Sequence, residues 1–156
     1  MPRPALEPVS LASFASDLDR LMRPLILAKG AIYETSVKPS ELAVTADPDM
    51  LQQAVINLLK NAVDAVADVE APRIELCCRA EADRIVLTVS DNGLGLPEDD
   101  LDRLFIPFFT TKSGGSGVGL NLALQIALAH HGQLTVRRNQ PRGAVFEMTL
   151  PRANTP

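Results

Sequence analysis

The chain has 156 residues, of which 46% are hydrophobic and 22% charged, and its formal net charge is −4. This length and composition fit one globular domain with its own core and exclude an intrinsically disordered chain. The acidic balance argues against nucleic acid as the main partner. The sequence has no apolar run of about 18 residues, so we expect no membrane contact by this domain.

The first predicted helix covers residues 11–29, where apolar side chains recur at helical spacing. Pro24 is expected to bend or restart this helix, and Gly30 to end it. Residues 1–7, with Pro2 and Pro4, are predicted to be a linker or the loose end of a piece of a longer protein.

Two short strands and a long helix are predicted next. Residues 31–37 and 41–47 alternate as strands do. Asp47-Pro48-Asp49 is a helix-start signal, and residues 50–66 continue with an apolar stripe that faces a core.

The second half predicts two pairs of strands around a further helix. Residues 73–79 and 84–90 fit an antiparallel hairpin, and residues 133–139 and 144–150 fit another. The intervening helix runs from about Gly119 to His131, with Gly132 as its stop. The fold predicted is α+β, a two-layer sandwich with a mixed, mostly antiparallel sheet covered on one face by helices.

The only two cysteines, Cys77 and Cys78, are adjacent in a predicted strand and therefore point to opposite faces. They form neither a metal site nor a disulfide framework, which fits a reducing compartment, and we therefore expect a cytoplasmic location.

The long helix carries a polar stripe at helical spacing, formed by Gln53, Asn57, Asn61 and Asp64. A solvated face is the commoner explanation of such a stripe. Solvated faces usually carry Lys, Glu and Arg, however, whereas Asn is a poorer helix former. The two carboxamides could instead offer oxygen to Mg²⁺.

A strand that ends at Asp91 leads into Gly93 and Gly95. Asn92-Gly93 alone is an ordinary turn signal. The second glycine would let the backbone approach a flat ligand, while the carboxylate accepts from an exocyclic amine. The segment could therefore form the floor of a purine pocket.

Two later stretches are also ambiguous by themselves. Phenylalanines at 105, 108 and 109 precede Thr111 and Lys112, which fits either core filling or an anchored loop whose lysine reaches phosphate. Residues 113–125, SGGSGVGLNLALQ, match neither the dinucleotide-binding spacing nor the P-loop. They fit an ordinary turn or a helix start that offers N–H groups to an anion.

Four stretches, taken in chain order, resemble the catalytic ATP-binding domain of sensor histidine kinases. They are NLLKNAVDA (57–65), DNGLGLP (91–97), LFIPFFTTK (104–112) and GSGVGLNLAL (115–124). These stretches resemble its N box, first glycine box, F box and second glycine box. The nitrogen-regulatory and dicarboxylate-sensing subgroup is the most similar. The resemblance implies the GHKL sandwich fold over residues 8–151, with residues 152–156 as a tail.

The resemblance also implies a site for ATP and Mg²⁺. Asn61 would bind Mg²⁺ with help from Asn57, Asp91 would bind the adenine amino group, and Lys112 would reach the terminal phosphates. The catalytic residues implied are Asn57, Asn61 and Lys112. The implied nucleotide-binding residues are Asn57, Asn61, Asp64, Asp91, Gly93, Gly95, Leu96, Thr111, Lys112, Gly115, Ser116, Gly117, Val118, Gly119 and Leu120.

Three positions deserve comparison with that family. Asn121 stands where a glycine is usual, and Val118 replaces a common threonine. Related gyrase, chaperone and mismatch-repair ATPases have a general-base Glu where this chain has Asn57. A carboxamide cannot deprotonate water, so phosphoryl transfer to an external nucleophile is favoured over ATP hydrolysis.

The nucleophile implied is a histidine on a dimerisation domain absent from these 156 residues, with a response regulator as an indirect partner. His130 and His131 lie at a helix C-terminus, where capping is their ordinary role. We therefore expect the isolated chain to be a monomer that does not phosphorylate itself, and membrane anchoring of a full-length protein stays open. The alternatives are an anti-sigma-factor type serine kinase, a nucleotide-binding regulatory module without catalysis, or a domain without a ligand.

Overall fold

The computed structural model describes residues 2–95 and 118–152. In chain order its elements are β1 (Glu7–Ser10), α1 (Leu11–Ala28), β2 (Ile32–Lys38), β3 (Ala43–Ala46), α2 (Pro48–Ala65), β4 (Arg73–Glu81), β5 (Arg84–Asp91), α3 (Val118–Ala129), β6 (Gln133–Arg138) and β7 (Ala144–Pro151).

A five-stranded sheet in the order β2-β4-β5-β7-β6 forms one layer of the molecule. β2 runs parallel to β4, and the other three pairs are antiparallel. The three helices found in residues 2–95 and 118–152 pack against this sheet, and the core lies between these helices and the sheet. The mixed, mostly antiparallel sandwich predicted from the sequence is confirmed.

Alternation along the central strands separates the core face of the sheet from its outer face. The side chains of β4, β5 and β7 that are buried under the helices are Ile74, Leu76, Cys78, Ile85, Leu87, Val89, Phe146, Met148 and Leu150. The opposite face carries charged pairs, such as Arg73 with Glu34 at 2.6 Å, together with the buried side chains of Val86 and Val145. Such half-exposed charged pairs add little stability.

The α1 helix runs without interruption through Pro24, so the predicted restart does not occur. Proline removes one backbone N–H from the helix, but Leu18, Met22 and Ile26 on the same face are buried and hold the helix against the core. Gly30 follows the helix at φ +80°, which confirms it as the stop.

The β1 strand was not predicted. It pairs antiparallel with β3 and buries Val9. Pro8 can lie in this strand because a short edge strand does not need every N–H. The domain limits at 1–7, 8–151 and 152–156 stay a prediction, although β1 already begins at Glu7 and the Arg152 N–H donates to the carbonyl of Asp83.

Asp47 is the N-cap of α2, as the helix-start signal predicted. Its Oδ1 accepts from the N–H groups of Asp49 and Met50, both at 3.1 Å. Its Oδ2 accepts from the N–H of Ala5 at 2.9 Å. These hydrogen bonds, that from Ala5 above all, lower the pKa of the Asp47 carboxyl.

The C-terminal end of α3 is tied to the start of α2 by His130, which is buried. Its Nε2 accepts from the N–H of Asp47 at 3.0 Å, and its Nδ1 lies 2.7 Å from the carbonyl oxygen of Ile126. Since a backbone N–H can only donate, the imidazole is neutral, with its proton on Nδ1. His130 thus caps the end of its own helix and also joins two helix ends.

His131, rather than Gly132, takes the left-handed conformation that ends α3, with φ +61°. The Gly132 N–H donates to the carbonyl of Ala127, and the His131 N–H donates to that of Leu128, which is the Schellman arrangement. Gly132 is needed for a different reason: a Cβ there would lie 2.1 Å from the carbonyl oxygen of Thr149.

Candidate nucleotide-binding site

The polar stripe of α2 has two half-buried members, Asn57 and Asn61, between two exposed ones, Gln53 and Asp64. Among residues 2–95 and 118–152, the Asn61 side chain has no hydrogen-bond partner. The stripe is therefore half-buried at its centre and exposed at its two ends.

Asn57 lies against the beginning of α3. Its Nδ2 is 3.5 Å from the carbonyl oxygen of Gly119, a long contact. A Cβ added at Gly119 would lie 3.8 Å from the Cβ and Cγ of Asn57. Leu120, the next residue, is half-buried and packs against the core. The structure thus brings the predicted N box and the start of the second glycine-box helix into contact.

Asp91 ends β5 and is only 2% exposed. Its Oδ1 accepts from the N–H of Gly93 at 2.9 Å and from the N–H of Ala144 at 3.3 Å. Burial of a carboxylate is costly unless hydrogen bonds compensate, and these two backbone donors supply part of that compensation. They also fix the direction in which the carboxylate points.

Gly93 packs directly against the last turn of α2. A Cβ at this position would lie 2.3 Å from the carbonyl oxygen of Ala65, and the Leu94 N–H donates to that same oxygen at 3.3 Å. The sequence suggested glycine here for approach to a flat ligand. The described contacts show that helix packing already requires it, whereas Gly95 has φ +78°, a conformation that favours glycine.

α2 is therefore the element that joins the parts of the site. Its middle, at Asn57, contacts the start of α3, and its end, at Ala65, contacts the segment that follows Asp91. The nucleotide-binding residues predicted at Leu96, Thr111, Lys112, Gly115, Ser116 and Gly117 lie outside the described residues, as does the side chain of Val118.

Sequence reasoning missed the turn between β6 and β7 as a neighbour of this site. Asn139 Nδ2 donates to the backbone carbonyl of Asp91 at 2.8 Å. A Cβ at Gly143 would lie only 1.9 Å from the same carbonyl oxygen. No local sequence signal reveals these contacts, because the residues that they join are separated by at least 48 positions in the sequence.

Asn92, between the two predicted site residues, was also missed. Its Oδ1 accepts from the N–H of Arg73 at 2.7 Å, and its Nδ2 donates to the carbonyl of Ala71 at 2.8 Å. Asn92 therefore holds the loop that leaves α2 against the end of β5.

The polar groups that the structure describes in this region are the carboxamides of Asn57 and Asn61, the carboxylate of Asp91 and backbone groups. Within residues 2–95 and 118–152, no group of three or more His, Cys, Asp or Glu side chains could hold a metal ion. No helix in the same ranges is long and apolar enough to cross a bilayer. Both cysteines are free thiols, and Cys78 is buried.

A family model described as histidine kinase-, DNA gyrase B-, and HSP90-like ATPase matches residues 46–154, more than half of the chain. The chain belongs to this family of ATPases. The sensor histidine kinase ZraS of Salmonella typhimurium is 38% identical to this ATPase domain over 108 residues, which are 69% of the chain and 23% of ZraS. The C4-dicarboxylate transport sensor protein DctB of Rhizobium meliloti is 32% identical over 149 residues, which are 96% of the chain and 24% of DctB.

Among solved structures, full-length ShkA in complex with AMPPNP matches the ATPase domain with a TM-score of 0.86 and 28% identity. The match covers 97% of this chain and 32% of that one. Together these similarities confirm the predicted resemblance: this is a catalytic ATPase domain of the sensor histidine kinase type. The ATPase domain spans less than a quarter of the length of ZraS and DctB.

Proposed function

We propose that the ATPase domain binds ATP with Mg²⁺ and donates the γ-phosphate to a histidine on a dimerisation domain of a longer kinase. The observation that carries this proposal is that α2 brings a buried, oriented carboxylate, Asp91, to the same site as two half-buried carboxamides and the start of α3. One end of the site suits a base with an exocyclic amine, and the other suits phosphates.

At the adenine end, Asp91 accepts the hydrogen bond of the exocyclic amine. Its Oδ1 is already held by the N–H groups of Gly93 and Ala144, so the carboxylate does not need to reorganise when the base binds. A fixed acceptor in a buried position discriminates strongly, because a base without the amine leaves the carboxylate incompletely satisfied. Gly93 and Gly95 provide a wall without side chains beside the base.

At the phosphate end, the donor set fits Mg²⁺. Mg²⁺ prefers hard oxygen ligands and takes few from the protein when phosphates and water supply the rest. The carboxamide of Asn61, which has no hydrogen-bond partner among residues 2–95 and 118–152, offers such an oxygen, with Asn57 beside it. When bound, Mg²⁺ neutralises charge on the phosphates and orients them. The N–H groups at the start of α3 add a positive helix end.

Transfer is favoured over hydrolysis because the residue at position 57 is Asn. A general base needs a group that accepts a proton near neutral pH, and a carboxamide does not. Asn57 can orient water or phosphate by hydrogen bonding but cannot create a hydroxide. The nucleophile therefore comes from another domain, with Lys112 proposed to reach the terminal phosphates. We propose a response regulator as the later acceptor, and we expect the isolated domain to be a monomer.

Titration of ATP and ADP into the wild-type chain and into Asp91→Ala and Asn61→Ala tests the site. We expect Asp91→Ala to weaken both nucleotides at least about tenfold, since a charge-assisted hydrogen bond contributes about 1.5–3 kcal/mol. Asn61→Ala should weaken ATP only when Mg²⁺ is present, so that chelation of Mg²⁺ removes its effect. Gln53→Ala, an exposed neighbour on the same stripe, is the matched control and should bind as wild type does. Wild-type affinity in both site variants would refute the proposed site.

Radiolabel transfer from ATP to a separate histidine-bearing dimerisation domain tests the reaction. Acid-labile label on that domain supports the histidine kinase. Acid-stable label on a serine would indicate a serine kinase, and nucleotide binding without any transfer would indicate a regulatory module. Acid-labile label on the isolated ATPase domain itself would contradict the expectation that it does not phosphorylate itself.

A further inference from the structure

The turn between β6 and β7 meets the adenine end of the site where regular strand pairing stops. The β5–β7 ladder ends with Ser90 opposite Val145, one residue before Asp91. On its other side Asp91 still lies opposite Ile74 of β4. The side-chain amide of Asn139 donates to the Asp91 carbonyl on the side where the ladder has ended.

We infer that Asn139 is a positioning residue for adenine recognition: it fixes the backbone of Asp91 so that the carboxylate faces the exocyclic amine. The inference rests on the proposed function, in which Asp91 accepts from that amine. Asn139 itself does not touch the base. It acts through the residue that does.

The conformation of Asn139 is set within its own turn. Its Oδ1 accepts from the Gln140 N–H at 2.9 Å, and its backbone N–H donates to the carbonyl of Gly143 at 3.0 Å. With the oxygen of the amide engaged locally, the Nδ2 group is directed at the Asp91 carbonyl. The hydrogen bond therefore comes from a pre-organised donor, which loses little conformational freedom on forming it.

Two further contacts make the turn and Asp91 one unit. The N–H of Ala144, the first residue of β7 after the turn, donates to the Asp91 carboxylate. Asn139 and Ala144 together therefore hold both the main chain and the side chain of Asp91. Gly143 allows this approach, because a Cβ would lie 1.9 Å from the Asp91 carbonyl oxygen and 2.7 Å from its carbon. Its φ of +111° is also a conformation that side chains rarely adopt.

A positioning role predicts a selective defect. Loss of the Asn139 amide removes one hydrogen bond to the Asp91 carbonyl and loosens the peptide at the end of β5. The hydrogen bond to the exocyclic amine then weakens, whereas contacts to ribose and phosphates, made elsewhere, do not. A merely structural role would weaken the binding of every nucleotide equally or would lower only the stability.

The test measures the affinities of ATP and of purine riboside 5′-triphosphate, which lacks only the exocyclic amine. We expect wild type to prefer ATP by about tenfold or more. In Asn139→Ala the affinity for ATP should fall about 3- to 10-fold while that for the analogue is unchanged, so the preference is mostly lost. Arg137→Ala, an exposed residue of β6 near the turn, is the control and should keep the wild-type preference.

Asn139→Asp is a second variant: it keeps an oxygen for the Gln140 N–H but replaces the donor to Asp91 with a carboxylate oxygen. Thermal unfolding of both variants shows whether each is folded. It should lose the preference for ATP as the alanine variant does. A folded variant that keeps the wild-type preference for ATP over the analogue would overturn the role of Asn139 but not the proposed role of Asp91. Equal binding of the two nucleotides by wild type would instead overturn the proposed role of Asp91, and the inference with it.

Discussion

Substitution of Gly93 by alanine would test whether α2 sets the position of the adenine-binding segment. The added Cβ would lie 2.3 Å from the carbonyl oxygen of Ala65, 2.7 Å from its carbonyl carbon and 2.9 Å from its Cβ. The first contact is more than about 1 Å short of the ~3.5 Å at which non-bonded heavy atoms pack. All three atoms belong to the main chain or first side-chain carbon of a helix, so no side-chain rotation relieves the overlap.

The cost can be worked from two effects. Overpacking against rigid structure costs about 1–3 kcal/mol. Separating the segment from α2 also breaks the hydrogen bond from the Leu94 N–H to the Ala65 carbonyl, a further ~1 kcal/mol. The free energy of unfolding should therefore fall by about 2–4 kcal/mol and the Tm by about 5–15 °C. Because Gly93 also donates to Asp91, a shift of about 1 Å should weaken ATP binding more than tenfold.

Thermal unfolding and ATP titration of Gly93→Ala beside Gly30→Ala provide the comparison. Gly30 has φ +80° and nothing within 4 Å of an added Cβ, so its substitution costs backbone strain of about 1 kcal/mol without a steric clash. It lies outside the proposed site and should leave ATP affinity unchanged. If Gly93→Ala lost no more stability than Gly30→Ala and bound ATP normally, the packing argument would be wrong.

Three further predictions concern stability and reactivity. His131→Gly should raise the Tm by about 2 °C, because it relieves the left-handed strain at the end of α3; a lower Tm would contradict this. The thiol of Cys77 should react readily with a thiol reagent in the native protein. Burial raises the pKa of Cys78 to about 12, so its thiol should react only after unfolding. Rapid reaction of both thiols in the native protein would contradict this. Folding lowers the pKa of the Asp47 carboxyl, so the ionised carboxylate stabilises the folded state. This stabilisation is present above the ordinary pKa of an Asp carboxyl and is lost as the pH falls below that value. The Tm of wild type should therefore fall more steeply than that of Asp47→Asn between about pH 5 and pH 3, and parallel curves would refute this.

Local patterns predicted most of the elements because each has a local physical cause. Asp47 caps α2 through donors two and three residues away, and Gly30 ends α1 in the turn that it forms itself. The β1 strand lacks such a cause. It is four residues long, contains Pro8 and buries only Val9, so its pairing with β3 comes from tertiary structure.

In the candidate site, too, features with a local cause could be predicted and features that depend on tertiary structure could not. The Asn stripe and Asp91-Asn92-Gly93 could be found from spacing, and their order carried the resemblance. The hydrogen bond from Asn139 to Asp91 could not be found from the sequence. It forms only because β7 pairs with β5, which brings the turn before β7 next to Asp91. The steric reason for Gly93 was likewise hidden, because it depends on where α2 ends.

Both glycine-box segments contact α2, at positions eight residues apart. Ala65 contacts the segment at Gly93, and Asn57 contacts Gly119, so the two contact points are about 12 Å apart along one helix. α2 therefore acts as a spacer that sets the distance between the proposed adenine end and the proposed phosphate end. One extra helical turn between Asn57 and Ala65 would move these ends about 5.4 Å further apart along the helix axis and would spoil their match to a nucleotide of fixed length.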